Sequence, residues 1–154
     1  MKIFNIDNGW TIKLPENWKE ERDEIDGYHI YYPTDSDLTI RISTFHFFRN
    51  IENDWKILVS VDDLSEIFNK SIKKIEVRNN TKVEGKKLNL NEFKIEEFKV
   101  ECFEYEYHEN NEKVYSISCG IMITGYLLVI NLYSASKEEV ESAIKYIYSI
   151  EKVK

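Results

Sequence analysis

The feature that most constrains this chain is the pair Asn110-Asn111, set between two long segments of alternating character. Asparagine tolerates the left-handed backbone that a tight hairpin loop demands. A two-residue and a four-residue loop here give the same pairing: Cys102 opposite Cys119, Val100 opposite Ile121 and Phe98 opposite Ile123. A second turn, Thr124-Gly125, places Ile117 opposite Leu132, Cys119 opposite Ile130 and Ile121 opposite Leu128. The two turns are independent, yet together they collect Phe98, Val100, Cys102, Ile117, Cys119, Ile121, Ile123, Leu128, Ile130 and Leu132 on one face. A slip of one residue would turn that whole set to the other side, so the register is strongly specified. The expected element is a three-stranded antiparallel meander over about 94–108, 113–123 and 126–134.

The other face of the same meander has a different character. Phe103, Tyr105 and Tyr107 stand beside Ser116, Ser118 and Gly120, with Val129, Asn131 and Tyr133 beyond. Small residues flanked by rings make a shallow trough. One reading is that a helix lies in it, because small side chains let a helix approach. The other is an exposed aromatic groove for a partner, peptide or apolar ligand, lined by Phe103, Tyr105, Tyr107, Ser116, Ser118 and Tyr133.

Earlier in the chain, Trp10, Ile12 and Leu14 alternate with Thr11 and Lys13, which is the period of a strand. Pro15 ends it, and Trp18 is a second large apolar anchor. The acidic residues 16–26 read as a surface loop. Tyr28–Tyr32 is a strand closed by Pro33, and Leu38, Ile40 and Ile42 mark another that runs toward Phe47. Residues 49–60 fit no single pattern. Ser60-Val-Asp-Asp63 resembles a capping box and opens a helix over about 61–76, with Leu64, Ile67, Phe68, Ser71, Ile72 and Ile75 at helical spacing. Residues 77–92 read as irregular. Ser136-Lys-Glu-Glu139 is a second capping box, opening a helix that buries Val140, Ala143, Ile144 and Ile147 and ends near Ile150. These elements make an α+β chain of one domain, 1–154: an antiparallel β-sheet flanked by helices, an α/β/α sandwich ending in the meander and a helix.

Charge bounds the partners. The net charge of −7 opposes binding to nucleic acid or an anionic membrane surface. It is unevenly spread. Residues 70–87 hold seven basic groups against Glu76 and Glu84, and residues 92–112 hold eight Glu against Lys94 and Lys99. Each segment is either a solvated face or half of a charge-complementary docking surface. The amino terminus has no continuous apolar run or small-residue cleavage site, and the apolar stretch Cys119–Leu132 is too broken to span a bilayer. The expectation is a cytosolic protein with its two cysteines reduced.

Chemistry-bearing residues are sparse. Cys102 and Cys119 are close enough for a cross-strand disulfide, but two small buried apolar side chains is the plainer reading. His29, His46 and His108 fall on three separate strands without metal-ligand spacing, and read as half-exposed. Glu104 and Glu106 share a strand face and could serve a hydrolase, although alternate glutamates near a sheet edge are usually just solvated. No nucleophile elbow, phosphate-binding loop or dinucleotide fingerprint is present, so no catalytic residue, metal or cofactor is expected.

The run Gly9-Trp-Thr-Ile-Lys-Leu-Pro-Glu-Asn-Trp18, a short strand entering a Pro-x-x-Trp turn ahead of a hairpin, resembles the start of PsbP-like domains. The ending, a strand Tyr126–Tyr133 and a capped helix to Ile150, is similar to the close of that fold. The resemblance covers about the first 45 and last 60 residues. The family includes a Ran-binding nuclear import factor, an extrinsic photosystem II protein and many bacterial proteins without an assigned role. It implies an antiparallel sheet between helices and binding to another protein in place of catalysis. The functional expectation is a small cytosolic interaction domain with a protein partner, such as an immunity or accessory factor. Small-molecule or peptide binding in the aromatic trough is the alternative, and a carboxylate hydrolase is a third.

Overall fold

A computed structural model describes residues 1–7, 9–25, 27–46, 61–96, 98–123 and 126–153. Ten strands and two helices follow in chain order among these residues: β1 (Lys2–Asn5), β2 (Trp10–Leu14), β3 (Trp18–Asp23), β4 (Tyr28–Pro33), β5 (Thr39–His46), α1 (Val61–Asn79), β6 (Gly85–Leu88), β7 (Lys99–Glu109), β8 (Glu112–Ile123), β9 (Tyr126–Ser134), α2 (Lys137–Ile147) and β10 (Glu151–Lys152). Seven strands form one antiparallel sheet in the order β3-β4-β5-β9-β8-β7-β6. The other three form a small sheet, β1-β2-β10. The architecture is α+β with α1 and α2 on opposite faces of the large sheet.

The meander has the register expected from its turns. Cys102 pairs with Cys119, Val100 with Ile121, Ile117 with Leu132, and Cys119 with Ile130. Asn110 and Asn111 have φ of 52° and 66°, the positive pair that a two-residue hairpin loop needs. The strand begins later than expected, at Lys99, so Phe98 lies before it and packs against the core from the loop.

The inner face of this sheet is the core. Ile40, Ile42, Ile117, Ile121, Leu128, Ile130 and Leu132 meet Val140, Ala143 and Ile147 of α2 and Trp10, Ile12 and Leu14 of β2. Each aliphatic side chain removed from water here contributes about 1.5–3 kcal/mol. Ser136 caps α2 as the sequence suggests, its hydroxyl accepting from the Glu139 N–H. The helix ends at Ile147, not near Ile150. Tyr148–Ile150 turn the chain so that Glu151 and Lys152 pair with Thr11 and Trp10.

Two segments correct the sequence reading. Residues 18–23, expected within a loop, form edge strand β3, paired from Trp18–Pro33 to Asp23–Tyr28. Its charges conceal an ordinary pleat: Trp18 is buried while Lys19 and Glu21 face water, and charged side chains suit an edge that must not recruit another strand. Residues 85–88, expected to be irregular, form the opposite edge, β6, paired with Cys102–Tyr105. There the signal is missing because only four residues pair and two of them are lysine. The expected capping box at Ser60 and the ambiguous 49–60 segment lie outside the described residues.

A candidate binding face on the outer side of the sheet

The outer face is built by strand alternation. Side chains at Phe103, Tyr105 and Tyr107 of β7 lie beside Ser116, Ser118 and Gly120 of β8, then Val129, Asn131 and Tyr133 of β9. β5 extends the row with Thr39, Arg41 and Ser43, because Arg41 pairs with Asn131 and Thr39 with Tyr133.

Helix α1 lies over the β7 side of this face. The Phe68 ring stacks on Phe103 at 3.9 Å between centroids and meets Tyr105 edge-on at 5.5 Å. Phe68, Ile72, Val83 and Tyr105 form a second, smaller core, with Ile75, Phe103 and Tyr107 at its margin. Gly85 fits beneath this helix because it has no side chain: a Cβ there would stand 2.7 Å from the Phe68 ring.

The candidate residues therefore have unequal surroundings. Tyr105 is buried, and its hydroxyl meets Ser118 Oγ at 3.0 Å. Ser118 in turn donates to Asn131 Oδ1 at 2.6 Å. Ser116 is buried between its neighbours, while Phe103, Tyr107, Ser118 and Tyr133 are partly exposed. Burial, then the nearby Tyr105 hydroxyl and the Glu109 carboxylate, push Tyr107 up to about 12, against the opposing pull of Arg78. On the β5 side, the Arg41 guanidinium lies 4.8 Å from the Tyr28 ring and 5.8 Å from the Tyr133 ring. Arg41 and Tyr28 join this face only through strand pairing. The alternation of Arg41 with Ile40 and Ile42 was visible, but the pairing of β5 with β9 was not.

The other candidates separate. The Glu104 and Glu106 carboxylates stand on the inner face, beyond the end of the apolar core: the Tyr115 hydroxyl donates to Glu104, and Glu106 pairs with Lys113 at 3.2 Å. His29, expected to be half-exposed, is only 4% exposed. Its Nε2 lies 2.6 Å from Asp7 and its Nδ1 3.7 Å from Glu20, which ties the β1–β2 loop to the large sheet. His108 is exposed on β7, and the His46 side chain lies outside the described residues. Cys102 and Cys119, expected as reduced thiols, are joined by a disulfide across directly opposed positions, with Cα atoms 4.1 Å apart. Among the described residues no group of three or more His, Cys, Asp or Glu is placed to hold a metal ion, and no helix is long and apolar enough to cross a membrane.

No protein-family model and no curated protein matches the chain. Solved structures do. The solution structure of the cyanobacterial PsbP protein, CyanoP, from Synechocystis superposes with a TM-score of 0.65 at 12% identity, over 99% of this chain and 92% of that one. A Bacteroides thetaiotaomicron protein gives a TM-score of 0.59 at 15% identity, over 99% of this chain and 48% of the other. LpqN of Mycobacterium tuberculosis, described as involved in cell envelope biogenesis, gives 0.55 at 13% identity, over 93% and 82%. Identities this low speak to architecture alone, and on that the superpositions are enough: the chain has the PsbP-like fold.

Proposed function

We propose that this domain acts by binding, not by catalysis, and that it docks an acidic surface of a partner protein on the outer side of α1. One observation carries the reading. Lys70, Lys73, Lys74 and Val77 recur at helical spacing on the side of α1 opposite Phe68, Ile72 and Ile75, with Lys70 paired to Glu66, while Arg78 sits at the flank and pairs with Glu109 of β7. Lys73 and Lys74 make no ion pair among the described residues, and Val77 between them is 83% exposed. In a chain of net charge −7, such a stripe is a local field of the opposite sign, with one apolar contact at its centre. A stripe of this kind steers an acidic partner and sets its orientation more than it supplies affinity.

The test uses the partner isolated from the protein's own cells, then purified. Reversing both charges, Lys73→Glu with Lys74→Glu, should slow association about tenfold or more at low salt and leave thermal stability unchanged. The same loss should appear for the unaltered protein in high salt. Association that ignores both charge reversal and salt overturns the reading.

A further inference from the structure

A second concave feature lies on the inner side of the sheet, at its β6 edge. It is a cavity of about 440 Å³ whose wall carries three carboxylates, Glu84, Glu104 and Glu106, and three ammonium groups, Lys82, Lys86 and Lys137, with Tyr115 beside them. Its place follows from the register. The apolar inner face ends at Cys102 and Ile117, and the next positions outward along the same pleat are Glu104 and Tyr115. Lys86 of β6 sits directly opposite Glu104, so the two share this face. Lys137 enters from the first residue of α2, with its ammonium 5.3 Å from the Tyr115 ring.

The charges in this cleft are arranged, not merely mixed. The buried Tyr115 hydroxyl donates to one oxygen of Glu104 and holds that carboxylate in place. The other oxygen has no hydrogen bond among the described residues. Lys82 and Lys86 form no ion pair there, although Lys86 is the ladder neighbour of Glu104. The cleft thus offers two unpaired ammonium groups beside an oriented, half-used carboxylate. A pure anion would meet Glu84, Glu104 and Glu106, the last already paired with Lys113, and a pure cation would meet Lys82, Lys86 and Lys137, so neither is well accepted. A molecule with both charges, separated by one or two residues of backbone, can meet the free oxygen of Glu104 at one end and Lys82 and Lys86 at the other. The volume falls in the range of small-ligand sites, and a tripeptide spans roughly 10 Å.

We propose that this cleft binds a short zwitterionic peptide, its α-ammonium at Glu104 and its α-carboxylate at Lys82 and Lys86. The site is separate from the α1 stripe and stands or falls without it. Titration of trialanine into the labelled full chain, followed by NMR, tests it. The expected result is saturable shifts confined to the residues around 82–86, 104 and 115. Acetylating the amino terminus or amidating the carboxyl terminus should each weaken binding about tenfold or more. Glu104→Gln and Lys86→Gln should reproduce those two losses separately, with melting temperatures unchanged for Lys86→Gln. Should Glu104→Gln unfold the chain, the blocked peptides still decide the matter. Absence of saturable shifts at about 10 mM, shifts elsewhere on the surface, or equal binding of blocked and free peptides would overturn the proposal.

Discussion

Gly85 and the Asn110-Asn111 turn show how single residues set this fold. Glycine at 85 lets β6 pass beneath Phe68, where a methyl group would sit 2.7 Å from the ring. Gly85→Ala should therefore cost about 1–3 kcal/mol in urea unfolding, and Phe68→Leu in the same chain should recover part of it. Non-additivity of the pair is the readout, since both residues press on one contact. At Asn111, where φ is 66°, Ala should cost about 1 kcal/mol or more and Gly should be neutral or stabilising. His29 belongs to the same scale. A lone strand histidine says nothing about what meets it, and Asp7 and Glu20 reach it only once the β1–β2 loop folds over the sheet. No local pattern in the sequence could place that contact.

At the scale of elements, the meander was legible because two turns and one apolar face had to agree. The edges β3 and β6 were not, because an edge strand carries charge for the same reason that a loop does. The covering helix α1 was readable from its spacing, and its choice of the Phe103–Tyr105 side follows from the aromatic stripe it shares with β7. The Cys102–Cys119 bond links β7 to β8, which already pair along their full length. Closing a loop of 17 residues should still stabilise the chain by about 3 kcal/mol. A reductant should lower the melting temperature of the folded protein, and alkylation before and after reduction should differ by two thiols. Two thiols reactive without reduction, in protein unfolded under acid quench, would show the bond to be absent.

For the whole molecule, the tyrosines make alkaline pH the revealing axis. Burial raises the pKa of Tyr31, Tyr115 and Tyr107, the last to about 12, with Glu20 and Glu104 adding to the first two. A raised folded-state pKa favours the protonated form in the native protein. The stabilisation is complete below the ordinary tyrosine value of about 10 and is lost as pH climbs through the raised values. Stability should thus fall steeply above about pH 10, with an absorbance step for phenolate formation that coincides with unfolding. Tyr107→Phe should soften that fall without moving the neutral-pH baseline by much. A tyrosine titration that completes near 10 in the folded chain would contradict this account.

The small sheet has a mechanical consequence. Both β1 and β10 pair antiparallel with β2, one on each side, so they run parallel to each other. Lys2 enters at the Leu14 end, while Lys152 leaves at the Trp10 end, followed by the Val153 N–H donating to Gly9. Tension applied between these two strands therefore acts along the ladders and loads their hydrogen bonds together, in shear, instead of peeling them one at a time. Pulled by its ends, the chain should resist as a clamp and then yield in a single event. Pulled from Ile25 at the β3–β4 hairpin tip and Lys152, it should open at lower force from the β3 edge.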